Sequence, residues 1–480
     1  MKNTIQPWRL RLTMVLATTP ILVGAQLSFY TWSSRANPAY RYPYAVENIG
    51  DRPLHNEIEF YQERISRNPS DGMDRAALAS VYLNLARSTG DASYFHAAEE
   101  SAQQSLANLP VENTAAQLVL ARVAEAEHDF PTTFKIVQQI LTTQPTHSEA
   151  QSLLVTSYLA IGKLPEAQQA VQRLVEQAPN LATYSLEALV HDAQGQDEQA
   201  IQAFQQALAA EEPGEVASSA KTRTLLGRFY TQRGQVKQAR GLFQEALRIA
   251  PQNALALVEQ AKLETQQGNY QQAEDLYAQV LGSSAIAHSL DHQALLGQAS
   301  LKLLQGDRNA AIPLWAKAEQ NFRHHHHQEA EHTHGGTEHT HEDTGHAHEH
   351  RKTSEPVEDH ESEQNFGHRR DLARLLLTRG QPADITEALE LMQTEAQIRR
   401  DAETLETFAW ALQLSNQEPA AQKVLQEAIS LGTREARLFY RAGMVEQALG
   451  NKTQAQLYFQ MAQEVNPSFD IVQSQRWELG

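Results

Sequence analysis

The chain has 480 residues, contains no cysteine and carries a formal net charge of −18. Without cysteine it can form no disulfide, no thiolate nucleophile, no iron–sulfur cluster and no thiolate zinc site. The negative charge argues against nucleic acid as a partner, because phosphate binding requires clustered lysine and arginine. Aromatic residues make up only 7% of the sequence, and the abundance of alanine, leucine, glutamine and glutamate favours helices over sheets.

Residues 1–34 form the first predicted unit, a membrane anchor or signal sequence. Residues 12–34 contain no charged side chain, and the stretch as far as Trp32 would span about 31 Å as a helix, enough to cross a bilayer core. Lys2, Arg9 and Arg11 precede it. The positive-inside rule therefore predicts a single helix in the inner membrane, with the bulk of the chain on the exported, periplasmic side.

A cleaved signal peptide is the alternative for the same segment. Val23, Gly24 and Ala25 supply the small residues of a cleavage site, so cleavage near Ala25 would release a secreted or periplasmic protein. Residues 35–53 contain proline, tyrosine and asparagine without helical periodicity and are predicted to be a linker.

Beyond the linker, proline and glycine recur at a nearly fixed period. Prolines stand at positions 110, 145, 179, 213 and 251, at intervals of 35, 34, 34 and 38 residues. Glycines stand at positions 162, 195, 234, 268 and 306. A period of this length indicates a solenoid built from supersecondary units.

The segment 220–251 indicates that each period folds as two helices. Apolar and small residues recur at helical spacing on each side of Gly234: Leu226, Gly227 and Tyr230 before it, and Ala239, Phe243 and Ala246 after it. Gly234 separates the two helices, and Pro251 ends the second because proline cannot continue a helix. The pattern resembles the tetratricopeptide repeat, a helix–turn–helix of roughly 34 residues.

The same motif recurs along most of the chain. Clear copies occupy 154–179, 261–280, 295–318, 405–428 and 439–467, and weaker copies occupy 70–110, 114–146, 182–214 and 368–401. The resemblance implies an all-α superhelical solenoid of about ten repeats, with a concave surface that binds a protein partner. We expect the array in two blocks, 54–323 and 369–480. Whether it is continuous between them stays open at this point.

No catalytic constellation is recognisable in the sequence. It lacks a zinc-protease HExxH, a phosphate loop, a dinucleotide-binding GxGxxG after a strand and a GxSxG nucleophile motif. We therefore predict that the chain is not an enzyme and requires no cofactor. Seven histidines are scattered singly and are interpreted as surface or structurally satisfied residues: His55, His96, His128, His147, His191, His288 and His292.

The resemblance also implies that the first helix of each repeat lines the groove. Motif offsets place five residues on that surface: Arg228, Lys262, Trp410, Tyr440 and Met444. The two cations predict an acidic segment as ligand, and the other three predict an apolar anchor. The alternative is that all five are merely partly exposed helix residues.

Residues 324–368 interrupt the array with a histidine-rich strip. Thirteen of the twenty histidines and eleven Asp and Glu residues lie in this span, which predicts a disordered loop with few apolar side chains. Neutral imidazole binds Zn²⁺, Ni²⁺ and Cu²⁺, and without a fixed tetrahedral set we expect several exchangeable ions. The predicted ligands are His324, His325, His326, His327, His332, His334, His339, His341, His346, His348 and His350. A polar linker without metal is the alternative.

Two functional hypotheses follow. In the first, the protein is a membrane-tethered scaffold or assembly factor that binds a protein partner in its groove, with the strip as an accessory metal-binding loop. This architecture resembles that of exported assembly factors for periplasmic complexes. In the second, it is a metal-handling protein, a zinc, nickel or copper buffer or chaperone. The strip would then be the functional site, and the repeats would dock a transporter or metalloenzyme.

Overall fold

A computed structural model describes residues 40–46, 54–89, 91–282, 290–331 and 368–469, and within these ranges it contains helices and no strand. The predicted all-α class is confirmed. The helices are α1 Leu54–Arg67, α2 Gly72–Thr89, α3 Ala92–Asn108, α4 Thr114–Ala126, α5 Phe130–Thr143, α6 Ser148–Ala160, α7 Leu164–Gln177, α8 Leu181–Ala193, α9 Asp197–Ala209, α10 Val216–Gln232, α11 Val236–Ile249, α12 Ala254–Gln266, α13 Tyr270–Gly282, α14 Asp291–Leu304, α15 Arg308–Glu331, α16 Arg369–Arg379, α17 Pro382–Ile398, α18 Ala402–Leu414, α19 Glu418–Ser430, α20 Ala436–Ala448 and α21 Lys452–Val465.

In the described part of the chain, α1 is followed by ten helical pairs, α2/α3 to α20/α21, which we number repeats 1 to 10. The two helices of each pair pack together, and each second helix packs against the first helix of the next repeat. First helices also contact one another within repeats 1–7 and within repeats 8–10. This arrangement is the predicted solenoid, with first helices on its inner face and second helices on its outer face.

Glycine closes most of the turns inside the repeats. In repeat 3, Gly162 adopts a φ of 73° after α6, a left-handed conformation that carries little cost for glycine. The amide of Lys163 donates to Tyr158 O at 2.9 Å, which satisfies a carbonyl at the helix end. Pro165 then starts α7, where its missing N–H costs no hydrogen bond. The glycine period seen in the sequence is therefore a period of helix ends.

Repeat 2 has a histidine, and repeat 9 has Asn416 (φ 56°), where most of the turns inside the repeats have glycine. His128 adopts a φ of 63°, which costs a residue with a Cβ about 1 kcal/mol. Its Nδ1 lies 3.1 Å from Glu395 Oε1, and that carboxylate is fully buried. The imidazole ring also stacks on Phe130, with ring centroids 5.8 Å apart.

The hydrophobic core is continuous across the histidine-rich insertion. Trp315 and Phe322 of α15 share one buried cluster with Leu372 and Leu376 of α16 and with Met392 of α17. Two ion pairs reinforce the same junction, Arg379 Nη1 with Glu319 Oε2 at 2.6 Å and Arg323 Nη2 with Glu387 Oε1 at 2.8 Å. Repeats 7 and 8 therefore pack as neighbours although the insertion separates them in sequence.

Helix α15 continues to Glu331 and so includes the first eight residues of the predicted disordered strip. Histidine, glutamine, glutamate and alanine extend an existing helix without a new nucleation cost. The described part of α15 therefore reaches eight residues into the strip. Residues 332–367 lie outside the described residues.

Repeats 8 to 10 lie back against repeats 2 to 5, so the superhelix closes on itself. The turns of repeats 2, 3, 4 and 5 meet successive parts of repeats 8 to 10. The polar contacts are His128 with Glu395 at 3.1 Å, Arg400 N donating to Ala160 O at 3.2 Å, Thr433 Oγ1 donating to Ala193 O at 2.7 Å and Asn466 Nδ2 donating to Thr231 O at 3.4 Å. Repeats 2 to 5 and repeats 8 to 10 therefore run side by side as two turns of the superhelix.

Part of the predicted linker belongs to the folded array. The segment 40–46 packs against repeats 4 and 5, and Tyr42 is 2% exposed. Arg223 Nε donates to Tyr40 O at 2.7 Å, and Tyr44 Oη donates to Glu211 O at 2.9 Å. Glu211 and Glu212 lie in the connection between α9 and α10, just before Pro213, where the 38-residue interval begins. Their main-chain oxygens accept hydrogen bonds from the hydroxyl groups of Tyr44 and Tyr42.

No helix in the described ranges is long and apolar enough to cross a membrane. The predicted anchor, residues 1–34, lies outside them.

The contact between the two turns of the superhelix requires a glycine at position 195, and this requirement can be tested. A Cβ there would lie 2.2 Å from Gly432 O, whereas a Cβ at Gly268 meets open space, and both glycines have positive φ. We expect Gly195→Ala and Gly268→Ala each to lose about 1 kcal/mol from backbone strain. Only Gly195→Ala should also open the superhelix, seen as a larger maximum dimension in small-angle X-ray scattering. Equal scattering from the two variants would contradict the closed arrangement.

Candidate binding groove

Charged side chains of alternating sign line the first helices of repeats 8, 9 and 10. Arg370, Glu403 and Arg437 occupy equivalent positions near the start of α16, α18 and α20. Glu403 lies 3.3 Å from Arg370 Nη1 and 3.5 Å from Arg437 Nη2. Arg370 lowers the pKa of Glu403 well below its usual range, against the desolvation that raises it. Sequence reasoning missed this ladder, although comparing equivalent positions of successive repeats could have found it.

A second carboxylate, Glu406, lies deeper and holds three arginines. Its oxygens are 3.2 Å from Arg437 Nε, 3.3 Å from Arg441 Nε and 3.4 Å from Arg374 Nη1, and the side chain is 2% exposed. Desolvation raises the pKa of Glu406, but the three guanidinium groups outweigh it, and the pKa is lowered. Glu403 and Glu406, with Asp401 beside Arg370 at 3.5 Å, offset much of the positive charge of these four arginines.

The predicted apolar anchor is mostly core. Tyr440 is 1% exposed and packs against the last helix, and Trp410 is 6% exposed. The guanidinium of Arg441 covers the indole of Trp410, with Cζ 4.5 Å from the ring centroid. Of the three residues, only Met444 is partly exposed. The motif offset gave the correct helix, but not the arginine that covers the indole.

Arg228 is exposed to water on α10, yet acidic groups surround it. These carboxylates come from both turns of the superhelix: Asp192, Glu259, Glu403 and Glu435. Desolvation lowers the pKa of Arg228, but the carboxylates outweigh it and the pKa is raised. The inner faces of repeats 4 to 6 and of repeats 9 and 10 therefore face each other across a common interior.

Lys262, the other predicted groove cation, is already paired. Its Nζ donates to Glu259 Oε1 at 2.8 Å and to Gln293 Oε1 at 3.2 Å, and its side chain is 40% exposed. The lysine is thus paired with a glutamate one turn earlier on its own helix and hydrogen-bonded to a glutamine of α14.

Three further cations form a group on the inner face of the N-terminal repeats. They are Arg87 on α2, Arg122 on α4 and Lys221 on α10. Burial lowers the pKa of Lys221, and repulsion by Arg87 and Arg122 lowers it further. The pKa of Arg87 is also lowered, by desolvation and then by Arg122. Arg122 is bound to Glu149 Oε1 at 2.8 Å and lies 3.9 Å from Glu125 Oε2, so the three cations face two carboxylates and keep one positive charge in excess.

The predicted metal ligands of the strip are not placed by the structure. His324, His325, His326 and His327 lie in α15, and the other seven lie between 332 and 350, outside the described residues. The multi-ion site predicted for the strip stays a prediction.

A solenoid of paired helices with a charged inner face defines the class of protein, a helical repeat protein. Models of the tetratricopeptide repeat match residues 124–190 and 230–285, residues 185–254 and 258–324, and residues 436–469. The chain belongs to the tetratricopeptide repeat family. Such repeats support a protein–protein interaction scaffold, and proteins of this family are generally non-enzymatic.

Comparison with curated proteins found no match. Among solved structures, one similar chain comes from the crystal structure of the APC/C hetero-tetramer Cut9–Hcn1. It has 12% sequence identity and a TM-score of 0.39, and the match covers 88% of this chain and 81% of that chain.

Replacing Glu406 tests the arginine cluster. Glu406→Gln removes the charge that three arginines share, and Arg441 is itself 2% exposed, so we expect a loss of about 3 kcal/mol in the free energy of unfolding. The matched control is Glu63→Gln, which breaks an exposed pair with Arg67 and should change stability by at most ~0.5 kcal/mol. Urea unfolding measures both, and similar losses would contradict the assigned role.

The same cluster predicts a dependence on acid. Because the pKa values of Glu403 and Glu406 are lowered in the folded protein, their contribution is complete above the unfolded value of about 4.3. It is lost as the pH falls through the lower folded values. We expect Glu406→Gln to flatten the acid limb of the stability curve relative to the wild type.

Proposed function

We propose that this scaffold binds an acidic segment of a partner protein on the inner face of repeats 1 to 5. The group formed by Arg87, Arg122 and Lys221 carries the proposal. In a chain with a net charge of −18, it is a local concentration of positive charge, and repulsion by Arg87 and Arg122 adds to desolvation in lowering the pKa of Lys221. A bound carboxylate would relieve that repulsion.

The other half of the groove supports this assignment by contrast. There, Asp401, Glu403 and Glu406 already pair with Arg370, Arg374, Arg437 and Arg441. An acidic ligand would meet carboxylates as well as guanidinium groups in that region, and like charges would repel it. The N-terminal cations therefore offer the more favourable binding surface.

We further propose that residues 1–34 tether the scaffold to the inner membrane. The docked segment 40–46 makes such a tether short, because Tyr40 follows Trp32 by only eight positions. An extended chain of that length reaches at most about 28 Å. Repeat 5, which holds the segment, would then lie close to the bilayer on the periplasmic side. A cleaved signal near Ala25 is the competing arrangement.

The histidine-rich strip is proposed as an accessory loop that binds Zn²⁺, Ni²⁺ or Cu²⁺. Its affinity should fall below about pH 6, as the imidazoles become protonated. The second candidate function, metal handling, rests on the same composition, with thirteen histidines in the strip. A scaffold should bind its partner without the strip, whereas in a metal-handling protein partner binding should require it.

Replacing Lys221 tests the acidic-ligand proposal. A fluorescein-labelled oligoglutamate peptide should bind the full-length wild type at low ionic strength, in a salt-sensitive manner. We expect Lys221→Gln to weaken binding roughly tenfold, equivalent to about 1.4 kcal/mol. The control Lys262→Gln removes a lysine already paired with Glu259 and should have a much smaller effect. Equal effects of the two variants, measured by fluorescence anisotropy, would overturn the proposal.

Deleting residues 332–350 separates the two functions. Tagged full-length protein and the deletion variant are used to capture partners from solubilised membranes, each with and without chelator. We expect the same partner with both proteins under all conditions, and its loss in the full-length protein that carries Lys221→Gln. Loss of the partner on deletion or chelation would instead make metal handling the function.

A further inference from the structure

Two histidines and an aspartate meet at the junction between repeats 7 and 8. His292 lies in the first turn of α14, His368 immediately precedes α16, and Asp371 lies in the first turn of α16. One ligand atom from each lies within 4.8 Å of the others. His292 Nε2 and Asp371 Oδ2 are 3.8 Å apart.

The surroundings of this group are largely apolar. His292 is 7% exposed, and Phe322, which packs beside it, is 1% exposed. The Phe322 ring centroid is 4.8 Å from that of His292 and 5.8 Å from that of His368. Phe322 therefore excludes water from one side of the group, and an apolar shell strengthens metal–ligand bonds by lowering the local dielectric.

We infer that His292, His368 and Asp371 bind one divalent transition-metal ion of the Zn²⁺ class. Two imidazoles and one carboxylate are a ligand set that zinc accepts, with water in the fourth position. Ligand atoms around tetrahedral zinc are about 3.4 Å apart, so the His292–Asp371 pair is already near that spacing. Rotation of the half-buried His368 side chain brings in the third ligand.

The neighbouring cations leave Asp371 available. Arg370 Nε is 4.0 Å from Asp371 Oδ1, whereas Arg370 Nη1 is 3.5 Å from Asp401 and 3.3 Å from Glu403. The guanidinium of Arg370 is thus held by two other carboxylates at shorter distances. A turn of Asp371 towards the histidines gives up only the 4.0 Å contact with Arg370 Nε.

The position of the site gives the ion a structural consequence. Helices α14 and α16 belong to repeats that the insertion separates in sequence, and the ion would join them directly. His368 is also the last residue of the predicted strip, so the proposed site lies where the strip rejoins the array. This inference does not depend on the acidic-ligand proposal, and it assigns one fixed ion rather than several exchangeable ones.

The test must separate this site from the strip. In full-length protein, the twelve other histidines between 324 and 360 are changed to asparagine, and Zn²⁺ is titrated calorimetrically at about pH 7.5, where imidazole is neutral. We expect one Zn²⁺ per chain. His292→Gln, His368→Gln and Asp371→Asn in this background should each weaken binding at least tenfold. Bound Co²⁺ should give the visible absorption of a four-coordinate ion.

A matched control uses the other histidine–carboxylate pair. His128→Gln removes a histidine that lies 3.1 Å from a buried glutamate. His128 does not belong to the group of possible metal ligands formed by His292, His368 and Asp371. The substitution should therefore leave Zn²⁺ binding unchanged. His368→Gln keeps the test usable if His292→Gln fails to fold, because His368 lies at the junction surface. Absence of Zn²⁺ binding in the background protein, or binding that survives all three substitutions, would overturn the inference.

Discussion

The close approach of the two helices in a repeat is the constraint on which the structure depends. Phe243 packs against Gly227 so tightly that a Cβ at that glycine would lie 2.5 Å from the ring, and Phe459 packs against Gly443 in the same way. Gly297 of α14 meets Tyr277 of α13 in the same way, and this contact fixes how repeats 6 and 7 are placed relative to each other. Small rotations between neighbouring repeats add up over ten repeats, and they therefore determine which residues of distant repeats come into contact. Gly195 can meet Gly432 only with this rotation.

Closure of the superhelix changes the electrostatics of its inner face. In an open array, the groove charges would face bulk water, where surface pairs contribute little. Here Glu403 and Glu435 from the opposite side of the interior raise the pKa of Arg228 against desolvation, and Glu406 pairs with Arg441, where both side chains are 2% exposed. In repeats 8 to 10 the charged groups of the first helices thus pair with one another and link the three repeats. The N-terminal half leaves cations available to a ligand.

Much of the fold could be predicted from the sequence because its determinants are local. Helix ends, glycine turns and apolar faces repeat within about 34 residues, so the helical pairs follow from spacing alone. The contact between Gly195 and Gly432 could not be predicted, since it depends on the summed rotation of the intervening repeats. Trp410 was placed on the groove because an offset gives a direction around a helix. It does not reveal that Arg441 lies over the ring.

The histidines illustrate the same limit at the level of a site. Considered singly, His292 is one isolated imidazole in a helix, and His368 is the end of a low-complexity strip. Only the continuous core through Trp315, Phe322 and Leu372 brings repeats 7 and 8 together, and with them His292, His368 and Asp371. A long insertion is tolerated there because the cost of closing a loop grows slowly with its length. The packing of repeat 7 against repeat 8 keeps the array continuous despite the insertion. The same packing brings the three possible metal ligands together where the insertion meets the array.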